Sequence, residues 1–208
     1  MAASHVLSAH DSTVLLVDMQ ARLLPAIADA EALVERTCRF LSAAQMLQVP
    51  VIATEHCADK IGATDLQLVP LVDHVVHKVH FDATREAGMA QAMPAARHHV
   101  LVLGIEAHIC VLQTALGLKS AGLTPWFVAD CLGSRKPIDL AVAMQRWQNC
   151  GGNVLTSEMA VFEWLGSARH PHFRAVLELV KGASVSERGA DTNVSNIYDS
   201  TGLERPEI

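Results

Sequence analysis

A thiol, a carboxylate and an amine recur at one kind of place in this chain, the end of an apolar run. Cys110 follows His99–Leu103, which predicts a buried strand, and the short turn Gly104–Ile109. It opens the helical pattern Val111–Leu118. A thiol there faces free backbone N–H groups and the positive end of the helix dipole, which favours the reactive thiolate. The plainer alternative is a small buried apolar residue. Asp18 closes the run Thr13–Asp18, and Lys78 lies late in the run His74–His80. Singly, Asp18 fits a helix cap, and Lys78 fits a long side chain with a solvated head. Jointly the three supply a nucleophile, a base and a balancing cation, the set for thiol-based hydrolysis.

The elements that must position them alternate along the chain. Thr13–Asp18 is a run of the kind buried in parallel sheets. Asp29 is expected to cap a helix with Leu33, Val34, Thr37, Phe40, Leu41 and Ala44 facing inward. Pro50 ends it, and Val51–Thr54 is the second strand. Residues 55–70 read as a loop with a short helix. His74–His80 is the third strand, with Lys78 on the face of His74, Val76 and His80, and His77 on the other. A helix is expected over 84–97, interrupted by Pro94. The helix opened by Cys110 has Gly122 as its C-terminal cap. Thr124–Val128 is the fifth strand, and Asp130 just beyond it is expected to cap the following turn. An amphipathic helix over 138–150 turns Leu140, Ala141, Met144 and Trp147 inward. Gly151-Gly152 ends it, Asn153–Thr156 is the sixth strand, and short helices follow at 159–167 and 171–181. This order predicts an α/β fold, an open sheet of about six mainly parallel strands with helices on both faces. Ligands in such sheets bind beyond the carboxyl ends of the strands.

The chain has 208 residues, half of them hydrophobic, enough for one domain with a sizeable core. That domain is assigned to 1–182; the polar stretch 183–208, with Gly189, Tyr198 and Gly202, reads as a tail or as an arm on a neighbouring subunit. The net charge of −6 is scattered, which argues against nucleic acid or an anionic membrane as partner. No apolar run approaches the roughly 18 residues of a membrane span. Met1–Asp11 lacks a basic start followed by an apolar stretch, so no signal peptide is expected. The five cysteines include no CxxC pair, which points to free thiols in a reducing, cytoplasmic setting. No GxGxxG or GxxxxGK follows a strand, which argues against a nucleotide binder.

Three segments carry a family resemblance. They are Leu16-Val17-Asp18-Met19-Gln20, Lys78 with Phe81-Asp82-Ala83, and Gly104-Ile105-Glu106-Ala107-His108-Ile109-Cys110-Val111. In that order they resemble the isochorismatase-like cysteine hydrolase superfamily, which includes nicotinamidases and N-carbamoylsarcosine amidases. The resemblance runs from Thr13 to Lys181. Gly104–Thr114, Ser157-Glu158 and Phe162-Glu163 are most similar to the small isochorismatase-domain hydrolases of unassigned substrate. The resemblance implies a three-layer Rossmann-like sheet, a catalytic triad of Asp18, Lys78 and Cys110, and a homo-oligomer, dimer or higher. It also implies a cis peptide at Ile105–Glu106 and an oxyanion hole made by the backbone N–H groups of Glu106 and Cys110. On that reading the side chain of Glu106 is replaceable. The implied reaction is hydrolysis of a small amide-type substrate through a thioester. True isochorismatases resemble the family in fold but cleave a vinyl ether without needing the cysteine, so Cys110 favours an amide-type substrate.

Nicotinamidases also carry an Asp-x-His and further histidines after the second strand, which bind zinc or a similar ion. Here that place reads Thr54-Glu55-His56-Cys57-Ala58-Asp59, without the spacing. Adjacent His56 and Cys57 are poor joint ligands, and His74, His77 and His80 split across the two faces of a strand. No metal and no cofactor are expected. Gln20, His56, Phe81 and His108 are near the rim by chain position and are the candidate substrate pocket. Two other classes stay open. One is a thiol redox or peroxide-reducing protein, with Cys131 as the candidate resolving cysteine. The other is a non-catalytic oligomeric scaffold.

Overall fold

The computed structural model describes residues 6–183. The stretch read as a tail or arm lies, from residue 184 onward, outside the described residues. Six strands form one sheet: β1 (Ser12–Val17), β2 (Val51–His56), β3 (His74–Lys78), β4 (His99–Gly104), β5 (Thr124–Leu132) and β6 (Asn153–Leu155). Their order is β3-β2-β1-β4-β5-β6, and every pairing is parallel. The chain therefore runs outward from β1 to one edge, returns to β4 and runs to the other. β1 and β4 are the neighbours at which the direction of winding changes.

Alternation along β1 sorts the core. Val14 and Leu16 enter one cluster, packed by α1 (Ala30–Met46), α6 (Ser157–Leu165) and α7 (Phe173–Ala183). Leu15 and Val17 enter the other, packed by α3 (Ala87–Ala92), α4 (Leu112–Ser120) and α5 (Pro137–Asn149). Each strand position thus meets a helix layer, which is why the central strands are apolar on both faces. The inward positions expected for α1 are all buried.

Several boundaries differ from expectation. β3 stops at Lys78 because the Glu86 carboxylate accepts hydrogen bonds from the N–H groups of Val79 and His80, at 2.9 and 3.1 Å. Beyond β3, the expected helix over 84–97 shrinks to a 3-10 turn at Ala83–Arg85 and the six residues of α3. Pro94 forces Met93 to an extended ψ of 123°. Asp29 stands at the start of α1 with φ 52°, and its side chain caps nothing. In α5, Ala143 faces inward and Ala141 is exposed. β5 runs on to Leu132 through a register shift opposite Val102–Gly104. Asp130 holds a different turn from the one expected. Its carboxylate accepts hydrogen bonds from the N–H and Oγ of Ser157, so α6 starts two residues early.

Candidate active site

The carboxyl ends of β1, β3 and β4 place the three chemical residues. Asp18 follows β1 with φ 51°, a left-handed turn that aspartate tolerates, and its carbonyl accepts the Gln20 N–H at 2.7 Å. The chain turns away at once and leaves the carboxylate at the strand end. Lys78, the last residue of β3, reaches past β2 to it: Nζ lies 2.7 Å from Asp18 Oδ2. Both side chains are buried, at 0% and 1% exposure. Thr54, near the end of β2 between them, donates its hydroxyl to Asp18 Oδ1 at 2.7 Å. A polar residue near the end of an apolar strand was the available sequence signal for Thr54.

Cys110 comes to this pair from β4. Gly104 ends that strand with φ 116°, and a Cβ there would lie 2.1 Å from the carbonyl oxygen of Val17. Only glycine lets β4 pass so close to β1 while taking this backbone turn. The Ile105–Glu106 peptide is cis. A single π turn, Ala107–Val111, then leads into α4. Cys110 therefore sits inside the first helical turn rather than at its opening. The carbonyl of Glu106 accepts the Ile109 and Val111 N–H groups, at 3.0 and 3.3 Å, so the winding starts three residues early.

The thiol does not have the chemistry expected of a helix N-terminus. Burial pushes the Cys110 thiol up to about 12; the Asp18 charge adds to the shift and Lys78 opposes it. Desolvation and a neighbouring carboxylate both disfavour the thiolate. The resting form is the neutral thiol, placed beside Asp18 and Lys78.

The four residues assigned to the pocket take different places. Gln20 is fully buried, and its amide is spent on backbone: it donates to the carbonyls of His56 and Gly62 and accepts the His56 N–H. It shapes the wall and offers no free group. His56 lies beside Lys78, with Nδ1 3.4 Å from Nζ, and stacks on Phe81 at 5.4 Å. Burial first, and then the Lys78 charge, hold the His56 imidazole below its ordinary value. Phe81 is half exposed. His108 points to the β5–α5 loop, with Nδ1 3.1 Å from Ser134 Oγ. A cleft of about 370 Å³, lined by Cys57, His77, Lys78 and Glu86 among others, opens beside Lys78. A separate cavity of about 230 Å³ between α1, α6 and α7 contains none of the three chemical residues.

The Glu106 side chain is not idle. Its carboxylate accepts hydrogen bonds from Arg135 Nε and N–H, at 2.9 and 3.3 Å. Ala107 N–H donates to Gly133 O, and Gly133 N–H to Gly104 O. The segment holding the cis peptide is thus fastened to the loop after β5. Among the described residues, no group of three or more His, Cys, Asp or Glu side chains is placed to hold a metal ion. His77 faces Glu55 and His80 faces Glu86. No helix among the described residues is long and apolar enough to cross a membrane.

Comparison with known proteins agrees with this architecture. Mouse isochorismatase domain-containing protein 2A is 31% identical over 170 residues, covering 82% of this chain and 82% of its own. A Caenorhabditis elegans structure described as MAR1 ribonuclease shares the fold with a TM-score of 0.80 at 24% identity, over 98% of this chain and 100% of its own. Escherichia coli YcaC, an octameric hydrolase of unknown specificity, superposes with a TM-score of 0.79 at 21% identity, over 96% and 99% of the two chains. The isochorismatase domain matches residues 12–159, which include all three strand-end residues, and the chain belongs to the isochorismatase-like hydrolase family.

Proposed function

We propose that this protein is a cysteine hydrolase that cleaves a small amide-type substrate through a thioester, with Asp18, Lys78 and Cys110 as its catalytic residues. One observation carries the reading: a thiol rests against a buried carboxylate–ammonium pair only 2.7 Å apart. Asp18 takes the Cys110 proton as Sγ attacks the carbonyl carbon. The C=O π electrons move to oxygen, where the N–H groups of Glu106 and Cys110 stabilise the charge. Among the described residues the Glu106 N–H carries no hydrogen bond that would compete for this role. Collapse breaks the C–N bond, and the leaving nitrogen takes the proton from Asp18. Asp18 then deprotonates water, which attacks the thioester. Sulfur leaves and regains its proton from Asp18. Lys78 holds the Asp18 side chain in place throughout.

The other classes fare worse. Cys131 packs in the core on the α1 side of the sheet, opposite Cys110, so it is a poor resolving cysteine. The net charge of −6 weighs against an RNA substrate of the kind named for the worm structure. Five free thiols suit a reducing compartment such as the cytosol. Octameric YcaC supports a homo-oligomer here.

The test is intact mass after brief exposure to a panel of amides, carbamoyl compounds and activated esters. A transient acyl adduct on Cys110, trapped by acid quench, is expected in the wild type. Turnover should fall far more than tenfold in Cys110→Ser and Asp18→Asn. Turnover in either variant within about tenfold of wild type, a barrier change of only about 1.4 kcal/mol, overturns the assignment.

A further inference from the structure

The Lys78 ammonium has one ion-pair partner and two hydrogen-bond acceptors. Asp18 Oδ2 lies at 2.7 Å, the carbonyl of His80 at 3.2 Å and His56 Nδ1 at 3.4 Å. An ammonium donates only, so His56 Nδ1 must accept, and the ring proton must sit on Nε2. We propose that His56, as its neutral Nε2–H tautomer, is a positioning residue that seats Lys78 against Asp18 and sets the acid limit of the site. The inference rests on the cysteine-hydrolase reading only for its consequence; the seat itself is geometry.

The ring is held for this task. Gln20 grips the backbone N–H and carbonyl of His56, and Phe81 stacks on the imidazole with planes 28° apart. The backbone grip fixes where the residue sits, and the Phe81 stack favours this ring orientation. Protonation of His56 removes the acceptor and puts a second cation beside Lys78. The ammonium must then shift, and its contact with Asp18 loosens. The groups that face the imidazole pull both ways. Lys78 and burial favour the neutral ring, while Asp18, Glu86 and the carbonyl of His80 favour the charged one. The neutral side prevails, so His56 stays neutral at pH 7 and charges only below the ordinary value of 6.5. The remaining contact of Nε2 is Cys57 Sγ at 3.6 Å, a weak acceptor that does not oppose this tautomer.

Two readouts test the proposal on the full chain. The first needs no turnover. Long-range proton–nitrogen spectra of imidazole-labelled protein should show His56, identified by its loss in His56→Gln, as the Nε2–H tautomer titrating below pH 6.5. An Nδ1–H tautomer, or titration at or above 6.5, overturns the seat. The second is the rate of Cys110 acylation by p-nitrophenyl acetate, read by intact mass between about pH 4.5 and 8. His56→Gln keeps an acceptor oxygen but cannot charge, so the acid limb of its rate, scaled to its own plateau, should move to lower pH than that of wild type. His56→Ala should lose about tenfold at pH 7, the worth of one hydrogen bond to a charged group. An acid limb in His56→Gln that superposes on wild type overturns the role. Acylation unchanged in Cys110→Ser would instead remove the nucleophile assignment, and the tautomer result would still decide the seat.

Discussion

Cys110 should be a slow thiol, and Asp18→Asn should make it a faster one while abolishing catalysis. Burial and Asp18 move the thiol from 9.0 to about 12. Three units reduce the thiolate fraction by about a thousandfold at any pH well below 9. At pH 7 the thiolate is therefore a very minor form. Such a site does not store thiolate, so the proton must leave as attack begins, to the neighbouring carboxylate. Asp18→Asn removes both the charge and the acceptor. The thiol should fall by about one to three units, since Lys78 still stands beside it. Alkylation by iodoacetamide, followed by peptide mapping between about pH 6 and 10, measures this. In the wild type, exposed Cys150 reacts first, and the Cys110 rate rises tenfold per pH unit without a plateau. In Asp18→Asn the Cys110 rate rises about ten- to a thousandfold, while turnover drops by about a hundredfold or more. A wild-type plateau with a midpoint at or below about 8.5 refutes the reasoning. Slower alkylation in Asp18→Asn refutes it equally.

Three further outcomes are expected. Lys78→Met leaves a buried carboxylate without its cation and should cost about 3–5 kcal/mol in urea unfolding, partly recovered by adding Asp18→Asn; a loss under about 1 kcal/mol would mean that water reaches Asp18. Gly104→Ala puts a methyl 2.1 Å from Val17 O at φ 116° and should cost about 3 kcal/mol or more, seen as a large drop in melting temperature. Glu86 accepts three hydrogen bonds from Val79 and His80 and is held at about 2 against an ordinary 4.5. Its contribution is complete above 4.5 and vanishes as pH falls through 2. The difference in urea midpoint between wild type and Glu86→Gln should shrink over that window, and a constant difference would count against it.

The sheet was legible because its signal is local and redundant. Runs such as Val51–Thr54 and His99–Leu103 are apolar enough to be strands, and alternation in β3 correctly put Val76 and Lys78 on one buried face. Ends were less legible, because tertiary hydrogen bonds set them. Glu86 cuts β3 short, Asp130 starts α6 early, and neither act is visible within a window of sequence. The strand-end rule brought Asp18, Lys78 and Cys110 together without distances. What it missed was the protonation state. A helix N-terminus promises thiolate, but burial and one carboxylate outweigh it here, and both depend on packing from β1 and β3.

The Glu106 side chain shows the same limit and gives it a cause. The family resemblance gave a role only to its backbone N–H. In the fold its carboxylate clamps Arg135, 29 residues on, while Ala107 and Gly133 bond across the same gap. β5 continues to Leu132 past a register shift against β4 between Val102 and Gly104, and residues 133–135 follow directly from it. The peptide proposed to stabilise the oxyanion is therefore held from the end of β5 as well as by the turn that contains it, with β2 and β1 lying between β4 and the strand of Lys78. An oxyanion donor must be fixed before charge develops, and a turn anchored on one side alone would relax toward solvent. Fastening both sides to a neighbouring strand turns a flexible connection into a preorganised one.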